Sequence, residues 1–444
     1  MAGRLPGRSV ATSGGNLVGL VGRDRLRRAR LGAVLGAGGL ALAALAQTGA
    51  ASATPPVRSP TPSVTPSGTP VATPGSESGA TPSATPSPTP SASIGKGEGM
   101  LRVLTFQGYV EYGGASSRIN WLTPFEQESG CVVKLDRVRT SEEMAARFAQ
   151  GGYDVLSAAP DLAGLLVEQG KVAPLDTALV ADYRRIPKRL RELPGLREGG
   201  KVYGIPYLWG VNRVVREGDG PRGPLALYGA APAAIRNSPL SIADAALALK
   251  GTRPQLKIKD PFQLTPVQLD AAMGLLAEGD GPGRVYWDGS LDLVRALSAE
   301  RVRIAQVLPY HLDLFQRADR PMKVLKGVPA TGWVDSWMLA AKPASPNCAY
   351  RWLNWMSSVR AQRPAAAWTG LAPANPEACG GRARRMCEAY QVRDNRRLRD
   401  VLFAARPARD CGGLGGECTD YADWAERWKS LRASSEPGRP RIAD

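Results

Sequence analysis

From Leu101 onward the chain alternates between short apolar runs and segments with a helical repeat. LRVLTFQGYV opens as a strand and ends in a Gly–Tyr turn, and WLTPFEQESG follows as a helix closed by Gly130. CVVKLDRV is the next strand. TSEEMAARFAQGG then carries a complete helix start, with Thr140 or Ser141 as cap, Glu142 and Glu143 in the first turn, and glycines at its end. The strand YDVLSAA and the helix DLAGLLVEQG complete a βαβαβα pattern, which predicts an α/β domain on a mainly parallel sheet. Ligands of such sheets gather at the strand C-termini, here the loops Gln107–Tyr112 and Ala158–Asp161.

KVYGIPYLWGVNRVVRE is long enough to leave one domain and enter another. A second αβ region covers Asn212–Gly332, with the helix SIADAALAL, the strand LKIKD, the helix TPVQLDAAMGLLAEG and the strand VRIAQVL. The chain returns through GWVDSWMLAA to the tryptophan-rich helix CAYRWLNWMSSVRAQ, and later forms the amphipathic helix YADWAERWKSLRA. This order predicts two α/β lobes joined by at least two crossing strands, with a cleft between them. Within GWVDSW, strand alternation puts Trp333, Asp335 and Trp337 on one face and Val334 and Ser336 on the other. A carboxylate among aromatic walls is costly to bury unless something pairs with it. The candidates are an internal arginine, a backbone amide, or a ligand bearing positive charge.

The first 98 residues predict no core. Residues 1–30 hold seven arginines and one acid, Asp24. The apolar run Leu31–Ala46 and the small residues Ala51–Ala53 follow, the order of an export signal over 1–53 cleaved after Ala53. Arg27–Arg28 also fits a twin-arginine signal. The apolar run falls short of the roughly 20 residues that span a bilayer, and it contains no cysteine for a lipid anchor. Retention as an uncleaved anchor is the alternative to cleavage. Residues 54–98 are dominated by Pro, Ser and Thr, a stalk with a reach of about 140 Å at ~3.1 Å per residue. Such a stalk suits a domain held outside a membrane.

Charge and cysteine content narrow the chemistry. Lysine and arginine number 57 against 40 acids, for a net charge of +17 over 444 residues. The arginines of the leader and scattered ones such as Arg184, Arg185, Arg382 and Arg384 supply the excess. No basic stretch interleaves with stacking aromatics, which argues for a solvated surface and against nucleic acid. The six cysteines, at 131, 348, 379, 387, 411 and 418, form no CxxC, and an even count in an exported chain favours disulfides over zinc. Pairing stays open at this point. His311 is the single histidine, and the chain has no GxSxG, HExxH, P-loop or GxGxxG after a strand. A nucleophile–base–orienter set is hard to assemble from that, so neither an enzyme nor a cofactor is expected. Paired acids for glycoside hydrolysis remain the enzymatic alternative.

Four stretches, in order, resemble the spermidine/putrescine-binding family of ABC-importer solute-binding proteins. They are LTFQGYV (104–110), GGYDVLSAAPDLAGLLVEQGKVAPLD (151–176), VYGIPYLWGVNRVV (202–215) and GWVDSWMLAAKPASPNCAYRWLNWM (332–356). The resemblance implies a two-lobed, type II periplasmic-binding-protein fold, with lobe 1 from 99–209 plus 333–375, lobe 2 from 210–332 plus 376–433, and a tail over 434–444. It implies a monomeric receptor outside the cytoplasmic membrane that binds a polyamine-like cationic solute in the cleft and delivers it to permease subunits. Aromatic residues of that family enclose the methylene chain and acids meet the ammonium groups. By this resemblance Phe106, Tyr109 and Trp333 are ligand-wall positions and Asp335 is an amine-binding acid. Asp260, at the end of LKIKD, matches the first acid of an Asp-x-x-Glu pair whose second position is Gln263. Ala159 and Asp161 stand where serine and an aromatic are usual, Val307 where a tryptophan is, and Leu371 where a tyrosine is. Trp337 reads as core, and Asp161 reads equally as a helix cap. The lobe assignment groups Cys131 with Cys348 and the other four together, implying the pairs 131–348, 379–387 and 411–418. Another solute or a metal is the alternative ligand, and sensing without transport the alternative role.

Overall fold

The computed structural model describes residues 93–229, 232–281, 283–299, 302–411 and 417–435. The expected export signal, the stalk up to residue 92 and the tail from residue 436 lie outside the described residues. The strands are β1 (Met100–Phe106), β2 (Val132–Val138), β3 (Val155–Ala158), β4 (Arg197–Glu198), β5 (Lys201–Val202), β6 (Gly204–Val211) and β7 (Arg213–Arg216). They continue with β8 (Ala233–Arg236), β9 (Val285–Trp287), β10 (Ile304–Val307), β11 (Lys323–Val324), β12 (Ala330–Leu339), β13 (Ala372–Pro373) and β14 (Val401–Phe403).

Two main sheets result. The larger runs β13-β6-β12-β3-β1-β2 with β14 beside β12, and the smaller runs β11-β7-β10-β8-β9. Both are mixed. β1 is parallel to β2 and β3, and β8 is parallel to β9 and β10, because intervening helices carry the chain back across each sheet. β12 is antiparallel to β3 and β6, and β7 to β10, because these strands enter from the neighbouring lobe. The chain therefore has the two-lobed α/β fold that its pattern predicts. β14, from the segment assigned by sequence to the second lobe, pairs instead with β12 in the larger sheet.

Local chemistry accounts for the elements. Thr140 caps the helix Ser141–Ala149 by accepting the Glu143 N–H at 3.1 Å, and the Glu143 carboxylate accepts the Arg139 N–H at 2.8 Å. Thr265 and Gln268 form a reciprocal capping box on the helix Pro266–Glu278. LKIKD is not a strand. Pro254 starts a 3-10 turn that ends with Lys257 in the left-handed region, and the strand that follows β7 in the second sheet is instead β8, after Pro232. The tryptophan-rich helix is broken at Ser358 into Pro346–Ser357 and Val359–Thr369.

The core of the larger lobe is aromatic. Trp337 meets Trp352 edge-on at 5.3 Å, and Trp352 meets Phe125 at 4.9 Å, all three buried. Disulfides join Cys131 to Cys348, Cys379 to Cys387 and Cys411 to Cys418, with Cα separations of 5.9, 5.6 and 5.6 Å. The Cys131–Cys348 bridge lies where the chain enters the lobe. Glu98 there accepts the N–H groups of Asn347 and Cys348, both at 2.9 Å, at the start of the helix Pro346–Ser357. β1 runs from this point toward the C-terminal edge of the sheet, a distance on the order of 20 Å.

The lobes join at Asn212, between β6 and β7, and at Thr331 in β12. One half-buried acid holds both crossings. Asp244 accepts from Thr331 Oγ1 at 2.6 Å, Gln306 Nε2 at 2.7 Å and Asn212 Nδ2 at 3.2 Å. Burial pushes its pKa up to about 6, against the pull of these donors. Asp244→Ala leaves buried donors without an acceptor and is expected to cost about 3 kcal/mol. A fall in the urea midpoint measures this, and an unchanged midpoint contradicts the assigned role.

Candidate ligand-binding site

The site is assembled where β1 and β12 end near β8. After β1 the chain turns through Gly108, whose φ of +86° suits glycine, and this presents Tyr109. The Tyr109 carbonyl accepts from Tyr207 Oη at 2.9 Å and Trp121 Nε1 at 3.3 Å, which fixes the turn from two sides. Tyr207 reaches it because of an irregularity in β6. Asp335 lies opposite Leu208 but Ser336 lies opposite Pro206, so Tyr207 is left without a partner in the ladder. Proline has no N–H to continue regular pairing, and the resulting bulge aims the Tyr207 side chain at the site.

Asp335 is 2 % exposed and accepts the Tyr109 hydroxyl on Oδ2. Burial raises its pKa to about 7. Tyr109 and the Arg236 guanidinium pull it down, and the nearby Asp161 carboxylate pushes it up. The carboxyl is therefore poised between its two protonation states at neutral pH. The Tyr109 hydroxyl is held well above its ordinary range by burial and by Asp335, so it remains a donor. Phe106, half-buried, meets the Tyr109 ring edge-on at 5.5 Å.

Trp333 forms the wall beside Asp335. Its indole lies on the backbone of Gly210, where a Cβ would fall 2.2 Å from the ring. Over the ring sits Arg236, from the end of β8, with its guanidinium carbon 3.7 Å from the centroid. Burial lowers the Arg236 pKa, and Asp335 and Tyr109 act in the opposite direction. The acid between two tryptophans thus has an internal cation close by, supplied by the other sheet. Trp337 belongs to the core, edge-on to Tyr207 at 5.6 Å.

Asp161 stands in the first turn of the helix Pro160–Glu168, but the N-cap position is Ala159. Its Oδ1 accepts Ser141 Oγ at 3.0 Å, and Tyr421 donates a further hydrogen bond. Burial raises its pKa. Arg406 donates to the Asp161 carbonyl and lies over the Tyr421 ring at 5.0 Å. Asp260 lies in a turn, where its Oδ1 accepts the Phe262 N–H at 2.9 Å, and Gln263 N–H bonds the Asp260 carbonyl. Among the described residues no hydrogen bond or ion pair joins Asp260 or Gln263 to Asp335, Tyr109 or Trp333. Val307 and Leu371 are buried apolar positions.

Sequence reasoning missed Arg236, Tyr421 and Arg406. AAIR carries little strand signal, with two alanines in four residues. Its place after Pro232 and before the SIADAALAL helix was the cue available. His311 is buried, accepts the Leu308 N–H on Nδ1 at 3.0 Å, and is kept neutral by burial, which pushes its pKa down to about 3. Among the described residues no group of three or more His, Cys, Asp or Glu is placed to hold a metal ion.

With the site in view, comparison with solved structures defines the class by fold, the two-lobed one of ABC-transporter substrate-binding proteins. The spermidine/putrescine substrate-binding protein PotD of Streptococcus pneumoniae matches with a TM-score of 0.57 at 15% identity, over 75% of this chain and 99% of that one. A putative spermidine/putrescine ABC transporter protein from Listeria monocytogenes matches at 0.58 and 15%, over 77% and 100%. MotA from A. tumefaciens B6, solved in complex with glucopine, matches at 0.52 and 16%, over 75% and 99%. No protein-family model matches the chain.

Gly210→Ala is expected to push the Trp333 indole from its seat. The expected destabilisation is about 1–3 kcal/mol, with a changed tryptophan emission spectrum. Retention of both wild-type stability and emission contradicts this packing.

Proposed function

We propose that this protein is an extracellular solute-binding receptor of an ABC importer. It closes its lobes on a small amine-bearing organic solute and presents it to a membrane permease. The carrying observation is Asp335, a buried carboxylate held by Tyr109, walled by Trp333 and set where residues of both sheets meet. A buried carboxylate beside aromatic rings suits an ammonium group, and Phe106 and Tyr109 supply the ring surface, since Arg236 covers Trp333. The solved structures of this fold add support, since they include spermidine/putrescine proteins and one solved with glucopine.

The receptor acts as a monomer by ligand-driven closure. Contacts from each lobe stabilise the closed state, and moving a 1:99 equilibrium to 99:1 takes about 5.5 kcal/mol of differential binding. No bond is made or broken. Phe106 and Tyr109 contribute aromatic surface and Asp161 a second acid near the first, whereas Asp260 and Gln263 are outside this group. Polyamines are the solutes the sequence resemblance suggests, and the cluster supplies a firm seat for one amine end. The described chain enters lobe 1 at the start of β1, the end of that strand away from this seat. Among the described residues no helix is long and apolar enough to cross a membrane.

Calorimetric titration of the full chain with small amines, including putrescine, spermidine and straight-chain amino acids, tests this reading. At least one is expected to bind at micromolar or tighter Kd, and Asp335→Asn to weaken it by about 100-fold, in line with loss of a buried charged partner. Equal binding in the variant defeats the assignment.

The affinity is also expected to depend on pH. An amine needs Asp335 ionised, and its pKa in the free protein is raised to about 7 by burial. Affinity should therefore be full above neutral pH and fall about tenfold per unit as pH drops below 7. Proton release on binding, read from titrations in buffers of different ionisation heat, checks the direction.

A further inference from the structure

We propose that the solute carries a carboxylate as well as an amine, and that Arg236 reads the carboxylate. The inference rests on the receptor reading above and names the chemical class of its ligand. Arg236 has five N–H donors, yet its guanidinium donates no hydrogen bond to any described residue. Arg320, half-buried like it, and the more deeply buried Arg284 and Arg216 do find acceptors. Arg320 bonds both oxygens of Glu217 at 2.6 Å, Arg284 bonds the Gly279 carbonyl at 2.6 Å, and Arg216 bonds the Gly218 carbonyl at 2.6 Å.

The position of Arg236 is fixed. Its backbone N–H donates to Gln306 Oε1 at 3.0 Å, its carbonyl accepts Ser241 Oγ at 2.8 Å, and its guanidinium carbon sits over the Trp333 ring, 3.7 Å from the centroid. Asp335 and Arg236 feel each other's charge without forming an ion pair or a hydrogen bond. The two therefore offer separate, opposite charges at one indole, the acid accepting from the Trp333 side chain and the guanidinium over the ring. A planar guanidinium held against a ring presents its N–H edge in the plane, the geometry that a carboxylate meets with two parallel hydrogen bonds. An ammonium in the same place would meet a like charge and find no acceptor.

The division between sheets gives this pairing a mechanical consequence. Asp335 and Tyr109 belong to the larger sheet's lobe, and Arg236 ends a strand of the smaller sheet. A zwitterion bound amine to Asp335 and carboxylate to Arg236 ties one lobe to the other through its own chain. A diamine engages one lobe and is repelled by the other.

The test is calorimetric titration of the full chain with two matched series. One runs from glycine to 6-aminohexanoate and the other comprises the diamines of equal length, with the simple monoamines as reference. The best amino acid is expected to bind at least about 100-fold more tightly than its matched diamine. Arg236→Gln should bring that amino acid down to the level of the monoamine and improve the diamine. The wild-type comparison decides the matter even if the variant folds poorly, and a thermal melt reports whether it does. If the diamine binds as tightly as the amino acid or more so, with binding lost in Asp335→Asn, the carboxylate assignment falls and the amine receptor stands. If no member of either series binds the folded wild-type chain, both fall together.

Discussion

Burying the Asp335 carboxylate is the constraint around which the cleft is organised. A lone carboxylate in an apolar interior is untenable, so the fold must bring donors and a counter-charge to it. Tyr109 supplies the donor, and its turn is held by Tyr207, which points there because Pro206 interrupts the pairing of β6 with β12. Gly108 lets the turn close, and Gly210 lets the Trp333 ring lie flat beside the acid. Gly108, Pro206, Tyr207 and Gly210 draw no notice in the sequence, and each acquires its purpose from the position of one carboxylate.

Arg236 connects that constraint to the hinge. Its charge lowers the pKa of both Asp335 in the site and Asp244 at the lobe crossings. Asp244 in turn holds Asn212 and Thr331, the residues through which the chain passes from one lobe to the other. One cation therefore acts on the acid that meets solute and on the acid that organises the hinge. An anion arriving at Arg236 changes the field at both, which gives a physical route from solute binding to lobe geometry. Asp161 extends the same logic on the opposite rim, where Ser141, Tyr421 and Arg406 gather the C-terminal helix Tyr421–Ser435 against the first lobe.

Much of the architecture was legible because it rests on local rules. Alternating apolar runs and capped helices announce βαβ units, and Thr140, Glu143, Thr265 and Gln268 act as their spacing suggests. Asp335 and Tyr109 stood out for the same reason, a carboxylate in an aromatic strand and a tyrosine just past a strand-end glycine. LKIKD misled because a short apolar run reads alike as strand or turn, and only the packing of Ile258 in the fold selects the turn. AAIR, with its arginine, went unnoticed beside it.

By itself the sequence determined the two-lobed α/β plan and the residue types able to hold a cation, because periodicity, capping and composition act over a few neighbours. Tertiary structure alone decided which groups meet. Tyr109 and Asp335 are 226 residues apart, and Arg236 reaches them from the other sheet. No local pattern encodes that convergence, since burial, register at Pro206 and the field of distant charges exist only once the chain has folded.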